Sequence, residues 1–140
     1  MGQPLAARPI LRRVGIIGGS REDPERTVLR QEQSAWARLL GQGEQVTTVH
    51  RMGRSTFVFT TRRLILAEEG RTGRQWEYLS VPYRSISSFS VEATGAFGLE
   101  ADLKIWVVGR SGPVERQFSR DADVYAVQAL LAQHTVHAAG

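Results

Sequence analysis

The sequence predicts a mainly β fold: an antiparallel sandwich or barrel closed by a C-terminal helix, with an extra helix ahead of it. Three observations lead there. From Gln45 to Arg120 the chain runs as short β-prone segments separated by frequent turn signals. After them, Val124, Val127, Leu130 and Leu131 recur at helical spacing. Before them, Asp23-Pro24 opens a helical stretch, since an aspartate can cap orphan amides and proline suits the first helical position.

Residues 1–22 read as a flexible tail, because Pro4, Pro9, Gly15, Gly18 and Gly19 interrupt any period. GIIGGS (15–20) lacks the Gly-Lys-Ser/Thr end of a phosphate loop and the strand a dinucleotide fold needs, so it reads as a turn. Residues 23–42 read as the N-terminal helix. Glu22, Asp23 and Glu25 suit its positive end, Arg38 its negative end, and Gly41 its stop. Its apolar stripe of Val28, Trp36, Leu39 and Leu40 is interrupted by Glu32, which leaves its docking face open.

Val46–Val49 is the first β-prone run and FVFTTRRLIL (57–66) the next. Glu68–Gly73 is a turn-rich break. Trp76, Tyr78 and Leu79 follow, and Pro82 ends that run or confines it to an edge. Ile86, Phe89 and Val91 form another run, then a loop holds Gly95 and Gly98. Leu103, Ile105 and Val107 alternate with Lys104, Trp106 and Val108, the period of a strand. Arg110–Pro113 is a turn, and Val114–Phe118 a last short strand. Asp121 is the expected cap of the final helix, and residues 136–140 read as disordered.

A chain of 140 residues, 41% hydrophobic and 23% charged, suits one soluble domain. Cysteine is absent, which excludes disulfides and thiolate metal sites. The apolar runs fall far short of the ~20 residues a membrane-spanning helix needs. Arg12-Arg13 precedes too short an apolar run for an export signal, and Ala6 stands where a myristoylation signal has Ser or Thr. The expected location is the cytoplasm, with a peripheral association at the membrane as a further option.

The net charge of +4 is unevenly spread. Residues 51–84 hold seven Arg against three Glu, whereas residues 85–140 hold four basic groups against six acids. Such a balance does not give the dense basic face of a nucleic-acid binder. Arg51, Arg54, Arg62, Arg63, Arg71, Arg74 and Arg84 are the anion- or lipid-binding candidates, since guanidinium grips phosphate in a two-bonded fashion. The competing reading is a set of solvated hairpin tips, some paired with Glu68, Glu69 and Glu77. Trp36, Trp76, Tyr83, Phe97 and Trp106 are the interface candidates, with one of Ile105 and Trp106 expected to face out of its sheet.

No nucleophile, base and orienter come together, so no catalytic residue is assigned. His134 and His137 lack a nearby carboxylate and read as a solvated helix end, so no metal site or cofactor is assigned either.

A family resemblance sharpens the fold. GEQV (43–46), FVFTTRRLILAEEGRTGR (57–74) and YLSVPYRSISSFSVEATGAFGLEADLKIWV (78–107) resemble the bacterial pleckstrin-homology domain family. Its most specific pieces are Phe59-Thr60 with Arg63-Leu64-Ile65, then Gly70-Arg71-Thr72-Gly73, then Pro82-Tyr83-Arg84-Ser85-Ile86. The resemblance implies a domain over residues 43–135, with about seven strands in two near-orthogonal antiparallel sheets capped by the last helix. It makes Thr61-Arg62 the tip of a hairpin. It also implies homo-oligomers, rings among them, and no catalytic residues. Phosphoinositide-binding pleckstrin domains carry an Arg-x-Arg-like pair on the second strand, where this chain has Ser55-Thr56-Phe57. The expected role is a self-associating protein scaffold. The alternative is a peripheral module binding anionic lipid headgroups through the Arg51–Arg84 region.

Overall fold

The structure is a computed structural model that describes residues 24–94, 100–119 and 123–136. Helix α1 (Pro24–Ala35) is followed by a 3-10 turn, Ala37–Leu39. Strands β1 (Val46–Met52), β2 (Ser55–Thr60), β3 (Arg63–Glu69) and β4 (Trp76–Pro82) form one antiparallel meander. A second 3-10 turn, Tyr83–Ser85, leads into β5 (Ile86–Thr94), β6 (Glu100–Val107) and β7 (Val114–Ser119), which form the second antiparallel sheet. Helix α2 (Val124–Thr135) ends the described chain. The predicted class, strand number and terminal helices are all present.

The helical stretch expected over 23–42 divides at Trp36, whose backbone leaves the α region (φ −101°, ψ 7°) before the 3-10 turn. The turn swings Leu39 and Leu40 toward the sheet. The expected caps Asp23 and Asp121, the loop of Gly95, Phe97 and Gly98, the tail 1–22 and residues 137–140 lie outside the described residues. Asp123 caps α2, its carboxylate accepting from the Ala126 amide at 3.0 Å. Asp123→Ala is expected to cost about 1 kcal/mol, the usual worth of such a cap, read as a lowered denaturant midpoint.

Two cores lie on opposite faces of the first sheet. On its inner face Phe57, Phe59, Leu64 and Leu66 meet Leu103, Ile105 and Phe118 of the second sheet and Val127 and Leu131 of α2. On its outer face Val46, Val58, Ile65 and Ala67 receive Trp36, with Leu39 and Leu40 packed alongside. Neighbouring residues of a strand point to opposite faces. Every residue of β2 is buried because both of its faces are covered. That is the physical origin of Phe57-Val58-Phe59 and Leu64-Ile65-Leu66: an antiparallel sheet wet on one face would alternate apolar with polar.

Among the described residues, the second sheet has only its inner face covered. Leu103, Ile105, Val114 and Phe118 are buried. Ser88, Ser90, Glu92, Glu100, Trp106, Glu115 and Gln117 are exposed.

Candidate functional site

Arg63 opens β3 on the outer face, and its guanidinium meets Glu44. Its Nε donates to Glu44 Oε2 at 2.9 Å and a terminal nitrogen to Oε1 at 3.0 Å. The other terminal nitrogen donates to Ser80 Oγ at 2.7 Å, and Leu39 carbonyl takes a further bond. Glu44 is 4% exposed. It also accepts from the Thr60 hydroxyl at 2.6 Å and the Gly41 amide at 2.8 Å. The bonds from Arg63 hold its carboxyl well below the usual range, at about 2, against the opposing effect of burial. Arg63 is raised in turn by the same partner.

Thr60 extends this node inward. Tyr83 Oη donates to the Thr60 carbonyl at 2.7 Å and accepts its amide at 3.1 Å. Burial pushes the Tyr83 hydroxyl up. The Tyr83 ring stacks on His134 at 4.3 Å and 9°, with Phe59 behind it at 5.7 Å. The reading of His134 as part of a solvated end is therefore corrected: the last turn of α2 packs on Tyr83 and Phe59, and burial lowers the imidazole pKa. His137 lies outside the described residues. The node joins the first 3-10 turn, the β2–β3 hairpin, β4 and, through the Tyr83 ring, α2. Every strong group in it has a partner, so its role is to hold elements together.

The other arginines do not converge. Arg51 makes a two-bonded pair with Glu32 at 2.9 and 3.0 Å. Glu32, which interrupts the stripe of α1, thus fastens the helix to β1 and also accepts from Trp36 Nε1 at 3.2 Å. Arg54, Arg71 and Arg74 lie in the β1–β2 and β3–β4 turns. Arg62 and Arg84 lie at the opposite end of the first sheet, near Arg63, which registers with Pro82. A six-residue strand, roughly 20 Å long, separates the two groups.

Arg54 stands between two clefts. One, of about 550 Å³, holds Arg51, Arg54 and Arg116 together with Glu68 and Glu115. The other, of about 630 Å³, holds Arg54 and Arg71 with Glu68, Glu69 and Glu77. Arg116 Nε lies 3.1 Å from Glu68 Oε1 but out of line for a hydrogen bond, so the pair is held by charge alone. With carboxylates among the guanidinium groups, neither cleft is strongly basic.

The aromatic candidates divide sharply. Trp36 is 3% exposed and fills the outer core. Trp76 is half-buried and stacks on Tyr78, which meets Trp36 edge-on. Tyr83 is half-buried in the node, and Phe97 lies outside the described residues. Trp106 is 36% exposed, whereas Ile105 is 1%. Val108, just past β6, is 69% exposed.

Register sets what surrounds Trp106. It faces Ser88, Lys104 faces Ser90 and Glu115, and Glu92 faces Asp102. Among the described residues, the outer face of the second sheet is therefore an uncovered surface with one large aromatic, small serines beside it and acids further along. Sequence reasoning named Trp106 but not this acidic face, nor Glu44 and Tyr78. The Glu44 signal was present in GEQV, yet nothing local tells which arginine it meets.

Comparison with known proteins agrees with this architecture. The family model described as bacterial PH domain matches residues 24–135, a span that includes α1. The uncharacterized protein YjqA of Bacillus subtilis (strain 168) is 40% identical over 121 residues, covering 85% of this chain and 97% of the relative. The crystal structure of a pleckstrin homology domain from Shewanella amazonensis SB2B is 34% identical, with a TM-score of 0.71, covering 78% of this chain and 99% of that one. A DUF1696 family protein with a pleckstrin-homology domain from Shewanella loihica PV-4 is 35% identical, with a TM-score of 0.65, covering 77% and 93%.

Proposed function

The chain belongs to the bacterial PH domain family, and from that premise we propose that it is a non-enzymatic, cytoplasmic interaction module that self-associates and scaffolds protein partners. The observation that carries this reading is the uncovered outer face of β5–β6–β7 around Trp106. A sheet face that no described element covers, bearing an exposed Trp beside Val108, has the makings of a protein contact. Tryptophan is among the commonest anchors of such contacts because a large flat ring buries much area at small entropic cost. The serines opposite it leave room for a partner's side chains.

The test is assembly mass by light scattering. Trp106→Ala is expected to shift the protein toward monomer at a cost in fold stability of about 1 kcal/mol, well below that of a core Trp. An unchanged assembly would remove Trp106 from the interface.

A second reading is attachment to an anionic membrane surface. Arg62 and Arg84, exposed at one end of the first sheet, favour it. Each basic group near such a surface is worth about 1 kcal/mol, so attachment through these alone is weak and salt-sensitive. The division of the seven candidates between two ends, with Arg51 and Arg63 held by carboxylates, limits how many reach one surface together. Sedimentation with phosphatidylserine vesicles at low salt tests it.

A further inference from the structure

We propose that the acidic part of the outer β5–β7 face receives the Arg38–Arg62–Arg84 end of a second copy, in a head-to-tail contact. This rests on the reading that the protein self-associates, and it names the two surfaces.

On β5, β6 and β7, Glu92, Glu100, Asp102 and Glu115 share one face with Lys104. Among the described residues, four acids against one lysine leave −3. Glu92 stands directly opposite Asp102, and Glu100 lies two residues along β6 on the same side. Like charges directly across a pair of strands repel. No ion pair within 4 Å relieves these acids among the described residues. The arrangement is poor for the lone chain and good for meeting a cation from outside.

The complement is on the same chain. Arg62 is at the β2–β3 tip, Arg84 in the second 3-10 turn and Arg38 in the first. The pairing of Arg63 with Pro82 and its bond to the Leu39 carbonyl bring these three segments to one end of the sheet. Arg38, Arg62 and Arg84 are exposed, and none makes an ion pair with a described residue. The acid that lies there, Glu44, is buried and already held by Arg63. Four arginines against one glutamate leave +3, equal and opposite to the sheet face.

Two copies cannot join like surface to like surface, since −3 would meet −3 or +3 would meet +3. They attract when the end of one meets the sheet of the next, and guanidinium suits carboxylate by two-bonded pairing. Such a contact repeats, closing into a ring or running on as a filament. Trp106, four residues along β6 from Asp102 and so roughly 13 Å away, supplies the apolar part of the same face.

The experiment neutralises each surface separately. Glu92→Gln/Asp102→Asn and Arg62→Gln/Arg84→Gln are each expected to weaken assembly by at least ~10-fold in low salt, read by light scattering, with circular dichroism unchanged. Mixing the two variants is the decisive step. Each retains the surface the other lost, so the mixture should form a 1:1 dimer and nothing larger. If wild type assembles and both variants keep its mass, self-association stands and these surfaces are wrong. If wild type is monomeric at high concentration, the self-association reading fails and this contact with it. A monomeric wild type that sediments with anionic vesicles, and loses this on Arg62→Gln/Arg84→Gln, would assign the basic end to lipid instead.

Discussion

Arg63→Ala is expected to destabilise the fold by about 3–5 kcal/mol, the usual cost of removing one partner from a buried ion pair. For a domain of this size that is a fall of about 10–20 °C in Tm. Arginine's removal leaves the Glu44 carboxylate buried among Thr60 and Gly41 without its cation, and it frees the Leu39 carbonyl and Ser80 hydroxyl. Glu44→Gln/Arg63→Met should recover part of the loss, because no charge then remains uncompensated.

The pH profile carries the same signature. The folded-state pKa of Glu44 is lowered from 4.5 to about 2. Its contribution is therefore complete above about 4.5 and disappears as pH falls toward 2. A shift of this size corresponds to about 3 kcal/mol. In Arg63→Ala, where burial acts on Glu44 without the opposing guanidinium, that acid-side loss should vanish or reverse. A loss under about 1 kcal/mol with an unchanged acid profile would show that the pair is incidental.

Trp36→Ala should cost a similar amount, about 3–5 kcal/mol, by emptying the space between α1 and the outer face of β1–β4. The effect should be local first. Amides of α1 are expected to lose hydrogen-exchange protection while those of β5, β6 and α2 keep theirs, because the inner core contains none of the Trp36 contacts. Retained protection across α1 would mean that Arg51–Glu32 and the Gln33 bonds to Glu44 and Val46 suffice to seat the helix. The contrast with Trp106→Ala is informative, since that ring is 36% exposed and its removal should change assembly more than stability.

Much of this architecture was legible in order. Short runs between turn residues marked the strands, and the Val124–Leu131 spacing marked α2, because both signals depend on neighbours a few residues apart. The FVF and LIL runs also carried a less obvious message. Unbroken apolar character in an antiparallel strand means that both faces are covered, and in the structure Trp36, Leu39 and Leu40, just after α1, cover the outer one. The motifs that identified the family began at Gly43 and did not reach that helix, although the family match does.

The candidate site was harder to read, since its chemistry depends on pairs far apart in the chain. Arg51 and Arg63 look alike in sequence to Arg54 and Arg62. Glu32 lies nineteen residues from Arg51 and Glu44 nineteen from Arg63, and no local pattern predicts either meeting. His134 read as a solvated end because its stacking partner, Tyr83, is brought to it by the fold. The same holds for the acidic face, where Glu92 and Asp102 are ten positions apart and become neighbours through the β5–β6 register.

By itself, then, the sequence determined the element types, their order and which runs had to be buried, because propensity and period act over a few residues. Only the tertiary structure decided which charges are spent inside the chain and which face outward. Packing distance, rather than separation along the chain, sets whether a guanidinium meets a carboxylate. Arg63 meets the buried Glu44 and belongs to stability, while its neighbour Arg62, one residue earlier at the hairpin tip, stays exposed.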